Sequence, residues 1–356
     1  MTPSVVATSI LVEIGSHQLP HLLQDSASFV PAVSGRDVLV GGSRIVLDGL
    51  SKAALFVLIA SGLSLIFGLM GVLNFAHGSL TMIGAYLGGV VMVVVVTSGM
   101  GGLTRVLIFF LAMAAVFGAM TAFGAAIERT LVRPIYDRAP LFQILLTFGV
   151  VLVLDELARI VVEFRGLQPQ SDWQAALGTT PDFLASWYDV ATVSVRGMYL
   201  FEVFVGALVV VAIHVFLTRT RYGLYIRAGS EDPEMVQALG IDIRQAFTVV
   251  FGVGAGLAGV AGVMLMWDPR YGASVPLGVE TLLVAFIVVI IGGLGSFEGT
   301  VVAAVLVGFT DAAMTWVFQN HIAFPGLPEM VMFVVLVVVL VIRPQGLFGL
   351  AEVGGH

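Results

Sequence analysis

Residues 331–342 read Val331-Met332-Phe333-Val334-Val335-Leu336-Val337-Val338-Val339-Leu340-Val341-Ile342, an unbroken apolar run with no position suited to water. A helix on the surface of a soluble protein shows a polar stripe at the helical period, and a half-buried strand alternates; this run does neither. Val90-Val91-Met92-Val93-Val94-Val95-Val96 has the same character. Lipid is the simplest surrounding for such surfaces. Working outward, apolar runs of helical length cover 46–69, 72–96, 105–127, 139–161, 199–217, 245–266, 280–295, 298–318 and 327–342. About 20 residues at 1.5 Å each cross a hydrocarbon core of ~30 Å. Backbone groups in lipid must be satisfied within the segment, and the runs lack barrel-type alternation. The expected fold is therefore all-α: a polytopic transmembrane helical bundle of about eight to ten spans, with broken or re-entrant helices.

Composition supports that reading. The chain is 58% hydrophobic and 11% charged, against about 25% charged in a soluble domain. Cysteine is absent, which excludes disulfides and thiolate metal sites. No basic patch interleaves with aromatics, so no nucleic-acid partner is expected. The phosphate-binding pattern G-x-x-x-x-G-K-[ST] is missing, and Lys52, the single lysine, lies in no glycine-rich loop. Neither H-E-x-x-H nor a nucleophile–base spacing occurs, so no catalytic residue, cofactor or metal is expected.

Residues 1–42 form an N-terminal extension, 43–349 the transmembrane domain, and 350–356 a tail. Arg129, Arg133 and Arg138 crowd one short loop; Arg219, Arg221, Arg227 and Arg244 crowd 218–244; Arg343 follows the last run. Positive charge collects on the cytoplasmic side, which places these loops and the C-terminus inside. The 162–198 segment, poorer in basic residues and carrying Trp173 and Trp187, then faces outside. Before residue 105 the count stays open: either 72–96 is broken or re-entrant, or residues 1–42 cross once more.

Five constellations stand out. Asn74-Phe75-Ala76-His77-Gly78-Ser79 is a polar break between apolar runs, readable as a cavity lining or as an interfacial turn. Gly292-Gly293-Leu294-Gly295-Ser296 opens a second break, where Phe297-Glu298-Gly299-Thr300 echoes Ala76-His77-Gly78-Ser79; matched interruptions suit a shared substrate path, while a hairpin turn explains the glycines equally well. Gly254-Ala255-Gly256-Leu257-Ala258-Gly259 matches a dinucleotide pattern but lacks the strand context; small-x-x-x-small spacing makes it a helix-packing ridge. Asp155 and Glu156 precede Arg159 at pairing distance, while Asp311 and His214 are expected to face helix neighbours. Lastly, Asp232-Pro233 reads as an N-cap and first helical position, and Gly240 as a stop. The intervening two-turn helix would carry Met235, Val236 and Leu239 as an apolar patch, serving either as a connector or as a docking helix.

The order of Gly62-Leu63-Ser64-Leu65-Ile66-Phe67-Gly68, Asn74 to Gly78, Gly84-Ala85-Tyr86, Arg227-Ala228, Glu231 to Met235, Leu239-Gly240-Ile241, Gly292 to Ser296 and Arg343-Pro344-Gln345-Gly346-Leu347-Phe348-Gly349 resembles one family. It is that of the LivH-type permease subunit of branched-chain amino acid ATP-binding-cassette (ABC) importers, over roughly 50–349. The resemblance implies a bacterial inner-membrane amino-acid permease. Its partners would be a second related permease (a heterodimer), two cytoplasmic ATPases and an external solute-binding protein. It also implies that Arg227, Glu231, Asp232, Pro233, Glu234, Met235, Leu239 and Gly240 belong to the segment that contacts an ATPase. Branched-chain amino acids are the default cargo, with urea, short amides and aromatic acids open. The rival is an ion-coupled carrier using His77, Asp155, Glu156 or Asp311.

Overall fold

A computed structural model describes residues 35–166, 173–190, 193–231, 233–238, 240, 242–320 and 327–349. The first helix, α1 (Gly35–Met70), is longer than the expected 46–69 and takes in part of the segment assigned to the extension. Next come α2 (His77–Val95), α3 (Gly102–Ile127) and α4 (Pro140–Phe164), with a π turn and a 3-10 turn filling 128–135 between the last two. Two single helical turns and an antiparallel hairpin, β1 (Trp187–Val190) with β2 (Val193–Arg196), lead into α5 (Gly197–Arg219). The chain continues through α6 (Arg221–Glu231), α7 (Pro233–Ala238), α8 (Ile243–Leu265), α9 (Leu277–Gly292), α10 (Phe297–Asn320) and α11 (Leu327–Ile342). Six described helices are long and apolar enough to cross a membrane, and α9 and the Met330–Ile342 part of α11 are shorter apolar helices. The expected span over 139–161 is the 25-residue α4, which is not among those six.

Two stretches turn back inside the bundle. Gly71, at φ 63°, ends α1 with its N–H on Phe67 O, the left-handed stop that a side chain with Cβ disfavours. Asn74 then restarts a helix: its Oδ1 accepts from Ala76 N at 3.1 Å and its carbonyl from His77 N at 3.2 Å. The His77 ring lies 2.9 Å from Ile59 O, eleven residues and so about 16 Å back up α1. Residues 71–76 have therefore climbed to mid-depth, where α2 begins. Of the two readings of the N-terminal half, 72–96 is a broken element whose helix rises to the far end of the bundle; a further crossing within residues 1–34 lies outside the described residues.

Residues 266–276 do the same from the opposite end. Trp267 stacks on Phe109 with ring centroids 4.0 Å apart and donates to Thr179 Oγ1 at 2.8 Å. The chain then re-enters, and α9 starts at Leu277 beside the start of α2. A methyl group on Gly78 would overlap Gly278 O; Gly62 and Gly254 likewise leave each other no room for a Cβ. The N-termini of two short helices thus meet mid-bundle, and the two long helices cross there through glycine.

The helices α1–α4 and α8–α11 form two units of opposite direction. The packing of α1 on α10 is matched by α8 on α3, that of α2 on α8 by α9 on α1, and that of α2 on α4 by α9 on α11. Inverted repeats of this kind put broken helices at the repeat interface. The counterpart of Ala76–Ser79 is Pro276–Val279, at the start of α9. The expected echo at Phe297–Thr300 is corrected: that segment is the first turn of α10. The glycine ridge of α8 is a packing surface on both flanks, Gly252 and Gly256 against Thr121 of α3, Gly259 and Gly262 against α3 and α2.

Candidate functional site

At the mid-depth junction Asn74, His77 and Gly78 are buried, and Ser79 Oγ donates to Asp155 Oδ1 at 2.7 Å. Phe75 lies 5.0 Å from Phe286 of α9, ring centre to ring centre. Asn74 Nδ2 and His77 Nδ1 are buried without a partner among the described residues. The first polar break is thus a helix start inside the bundle, and the interfacial-turn alternative does not describe it.

Gly292, Gly293, Gly295 and Ser296 are not brought to that junction. They form the α9–α10 turn beside Gly68, nine residues and so about 14 Å along α1 from Ile59. Gly293 and Gly295 take φ of 100° and 86°, so these positions favour glycine. Leu347 N and Phe348 N donate to Ile291 O and Gly292 O, fastening the C-terminal segment to the turn. Ser64 ties it to α1, reaching Ser296 O at 3.4 Å and accepting from Thr300 Oγ1 at 2.8 Å. Tight antiparallel connection, with backbone crossing backbone, explains the glycines.

The 218–244 segment holds two short helices, where the sequence suggests one. Leu69, near the end of α1, and Ile243, at the start of α8, both lie against Gly229 of α6. In α7 Val236 is buried and Met235 is 56% exposed, so the expected patch is split between the bundle and the outside. Gly240 takes φ 80°, as a stop requires, and Asp242 Oδ1 caps α8 through Arg244 N and Gln245 N. Arg227 is exposed. The expected cap at Asp232 and the contact of Leu239 lie outside the described residues, as do the side chains of Glu231, Pro233 and Glu234.

A clamp fastens this end. The fully buried Glu128 accepts from Arg133 at 3.1 and 3.2 Å, from Thr248 Oγ1 at 2.7 Å and from Tyr136 Oη at 2.6 Å. Arg133 also reaches Arg244 O at 3.2 Å. Burial first, then the Glu128 carboxylate, push the Tyr136 hydroxyl above its ordinary pKa, so it stays protonated and donating.

Sequence reasoning missed the largest polar assembly, which sits toward the hairpin end. Lys52 Nζ is 2.6 Å from Asp311 and 3.5 Å from Asp48, and donates to Thr315 at 3.2 Å. Arg270, in the second break, meets Asp48 at 3.0 Å, Glu202 at 2.5 Å and Asp268 at 2.9 Å, and lies over the Tyr199 ring at 4.4 Å. Ser51 donates to Glu202. These residues come from α1, α5, the second break and α10, so no linear spacing announces them. Lys52, one charge in an apolar run, was the available signal. Asp311 does face a helix neighbour as expected. His214 is exposed, contrary to expectation, and Asp155 pairs with Ser79, leaving Arg159 to Glu156 at 3.8 Å.

Inverted units, helix starts at mid-depth, ion pairs inside the bundle and six described apolar helices of membrane-crossing length define a polytopic membrane permease. The family described as branched-chain amino acid transport system / permease component matches residues 45–342, and the chain belongs to it. Its relatives include the high-affinity branched-chain amino acid transport system permease protein BraD of Pseudomonas aeruginosa, 29% identical over 86% of this chain and 96% of the relative. LivH of Escherichia coli K12 is 27% identical over 86% and 95%, and the probable LivH of Methanocaldococcus jannaschii 24% over 86% and 93%. No solved structure matches significantly.

Proposed function

We propose that this chain is the membrane-spanning subunit of an ABC importer carrying branched-chain amino acids across a bacterial inner membrane. The observation that carries the reading is the α6–α7 elbow: a short helix anchored by Val236, presenting Met235 outward, directly ahead of the capped start of α8. A helix so placed suits docking in a partner's groove, and the partner would be a cytoplasmic ATPase, since the chain lacks a nucleotide-binding pattern of its own. Arg129, Arg133, Arg138, Arg219, Arg221, Arg227, Arg244 and Arg343 favour the cytoplasm for the elbow end and the C-terminus. The hairpin end would then receive solute from an external binding protein.

Transport would proceed by rocking one unit against the other about the mid-depth glycines. Asn74, Phe75, His77, Gly78 and Ser79 would border the path, and the fastened turn of Gly292, Gly293, Gly295 and Ser296 would keep α9 and α10 moving together. A second, related permease would cover α4, where Glu156 and Arg159 are 62% and 50% exposed, charges that lipid alone would solvate poorly. Replacing Met235 with Asp tests the elbow. ATP-driven leucine uptake and retention of the ATPase through purification should each fall by about tenfold or more, as for a central interface anchor, with the thermal midpoint unchanged. Leucine accumulation by the chain alone, driven by a proton gradient in liposomes, would overturn the reading in favour of an ion-coupled carrier.

A further inference from the structure

A cleft of about 1140 Å³ opens beside the hairpin and runs down the face of α1 that carries Asp48, Lys52, Phe56 and Ile59. Asp48 to Ile59 is eleven residues, about 16 Å of helix. Ile59 is the residue whose carbonyl meets His77, so the cleft leads from the bundle surface to the mid-depth junction. Its upper walls carry charges of both signs; lower down, Glu280 and Thr281 from the start of α9 line it beside the apolar Val284 and Ile287 of α9 and Met332 of α11.

The charged walls are not fully occupied. Lys52 pairs with one oxygen of Asp311, Oδ2; the other, Oδ1, has no protein donor among the described residues. Arg270 Nη1 uses one N–H on Asp48, and a guanidinium nitrogen of that type carries two. Arg44, at the mouth, is exposed and forms no ion pair among the described residues. An open carboxylate oxygen, open guanidinium donors and the apolar patch of Phe56, Val284, Ile287 and Met332 together make a receptor for a small zwitterion with a hydrocarbon side chain.

We propose that this cleft is a solute site within the permease, binding a free α-amino acid with an aliphatic side chain before it passes the junction. The inference rests on the permease reading and adds where the solute waits and what holds it. The ammonium goes to Asp311, the carboxylate to Arg270 and Arg44, and the side chain to Phe56, Val284 and Met332. A zwitterionic lipid headgroup shares this chemistry, so the test separates the two sources.

Because the chain has no cysteine, Thr315→Cys supplies the only thiol, on the cleft wall. The full chain, in phosphatidylglycerol nanodiscs with the subunits that co-purify, is labelled with a water-soluble methanethiosulfonate. L-Leucine should slow labelling, while isocaproate, lacking the ammonium, and leucinamide, lacking the carboxylate, should not. Adding Asp311→Asn should raise the half-protecting leucine concentration by about tenfold or more, the scale of a charged hydrogen bond. Arg44→Gln, at an exposed side chain, should raise it by a few fold without touching the fold. Equal labelling with and without saturating leucine overturns the proposal, as does protection that requires phosphatidylethanolamine in the disc and ignores leucine. If ATP-driven leucine uptake persists while protection is absent, the cleft site alone fails; if uptake is also absent, the substrate reading fails with it.

Discussion

The two breaks do the same geometric work with different chemistry. Residues 71–76 return the chain to mid-depth using a glycine stop and one asparagine cap; the one polar side chain bonded to them from elsewhere among the described residues is the Thr147 hydroxyl, donating to Leu73 O at 3.3 Å, and Asn74 Nδ2 has no partner there. Residues 266–276 are longer and carry Trp267, Asp268, Arg270 and Tyr271, with Arg270 answered by Asp268 beside it and by Asp48 and Glu202 from other elements. The first break is a dry joint, the second a charged one at a cleft. Equivalent positions in inverted units need share only the backbone path; the side chains diverge with what each side faces.

Three changes would break or sharpen this contrast. The largest effect belongs to the shared joint: Gly78→Leu forces side-chain atoms into Gly278 O and should cost about 5 kcal/mol or more of stability, read as lost yield and a lowered thermal midpoint. Gly118→Ala, where a Cβ meets open space, should stay within about 0.5 kcal/mol. A tolerated Gly78→Leu would mean that the helix starts are not in contact. Next, Arg270→Ala strands carboxylates inside the bundle and should cost about 3–5 kcal/mol, by thermal unfolding in detergent; an unchanged midpoint would show the second break to be as dry as the first. The smallest is His77→Phe, which removes the ring's bond to Ile59 O and should cost about 1 kcal/mol, with a midpoint shift well below that of Arg270→Ala.

The helical class, the polar break at Asn74–Ser79 and the packing ridge of α8 were legible because each is written in consecutive residues. Gly240 as a stop was legible for the same reason. The start of α9 was not: Pro276-Leu277-Gly278 sits beside apolar residues with no polar flag, so the echo was sought in the glycine-rich turn instead. Charge partners were also hidden. Asp155 has an arginine one turn away and still bonds Ser79, 76 residues earlier, and the Lys52–Arg270 assembly joins residues up to 263 apart. Contact across an inverted repeat leaves no period in the chain.

The Glu128 clamp bears on how a single docking helix could serve a two-part machine. Arg133 and Tyr136 belong to the joint from which α3 and α4 hang, whereas Thr248 and the Arg244 carbonyl sit in the opening turns of α8. In the proposed importer a tug on α7 would therefore reach α8 directly and the first four-helix set through the clamp at the same moment. One handle would then be enough to drive both halves.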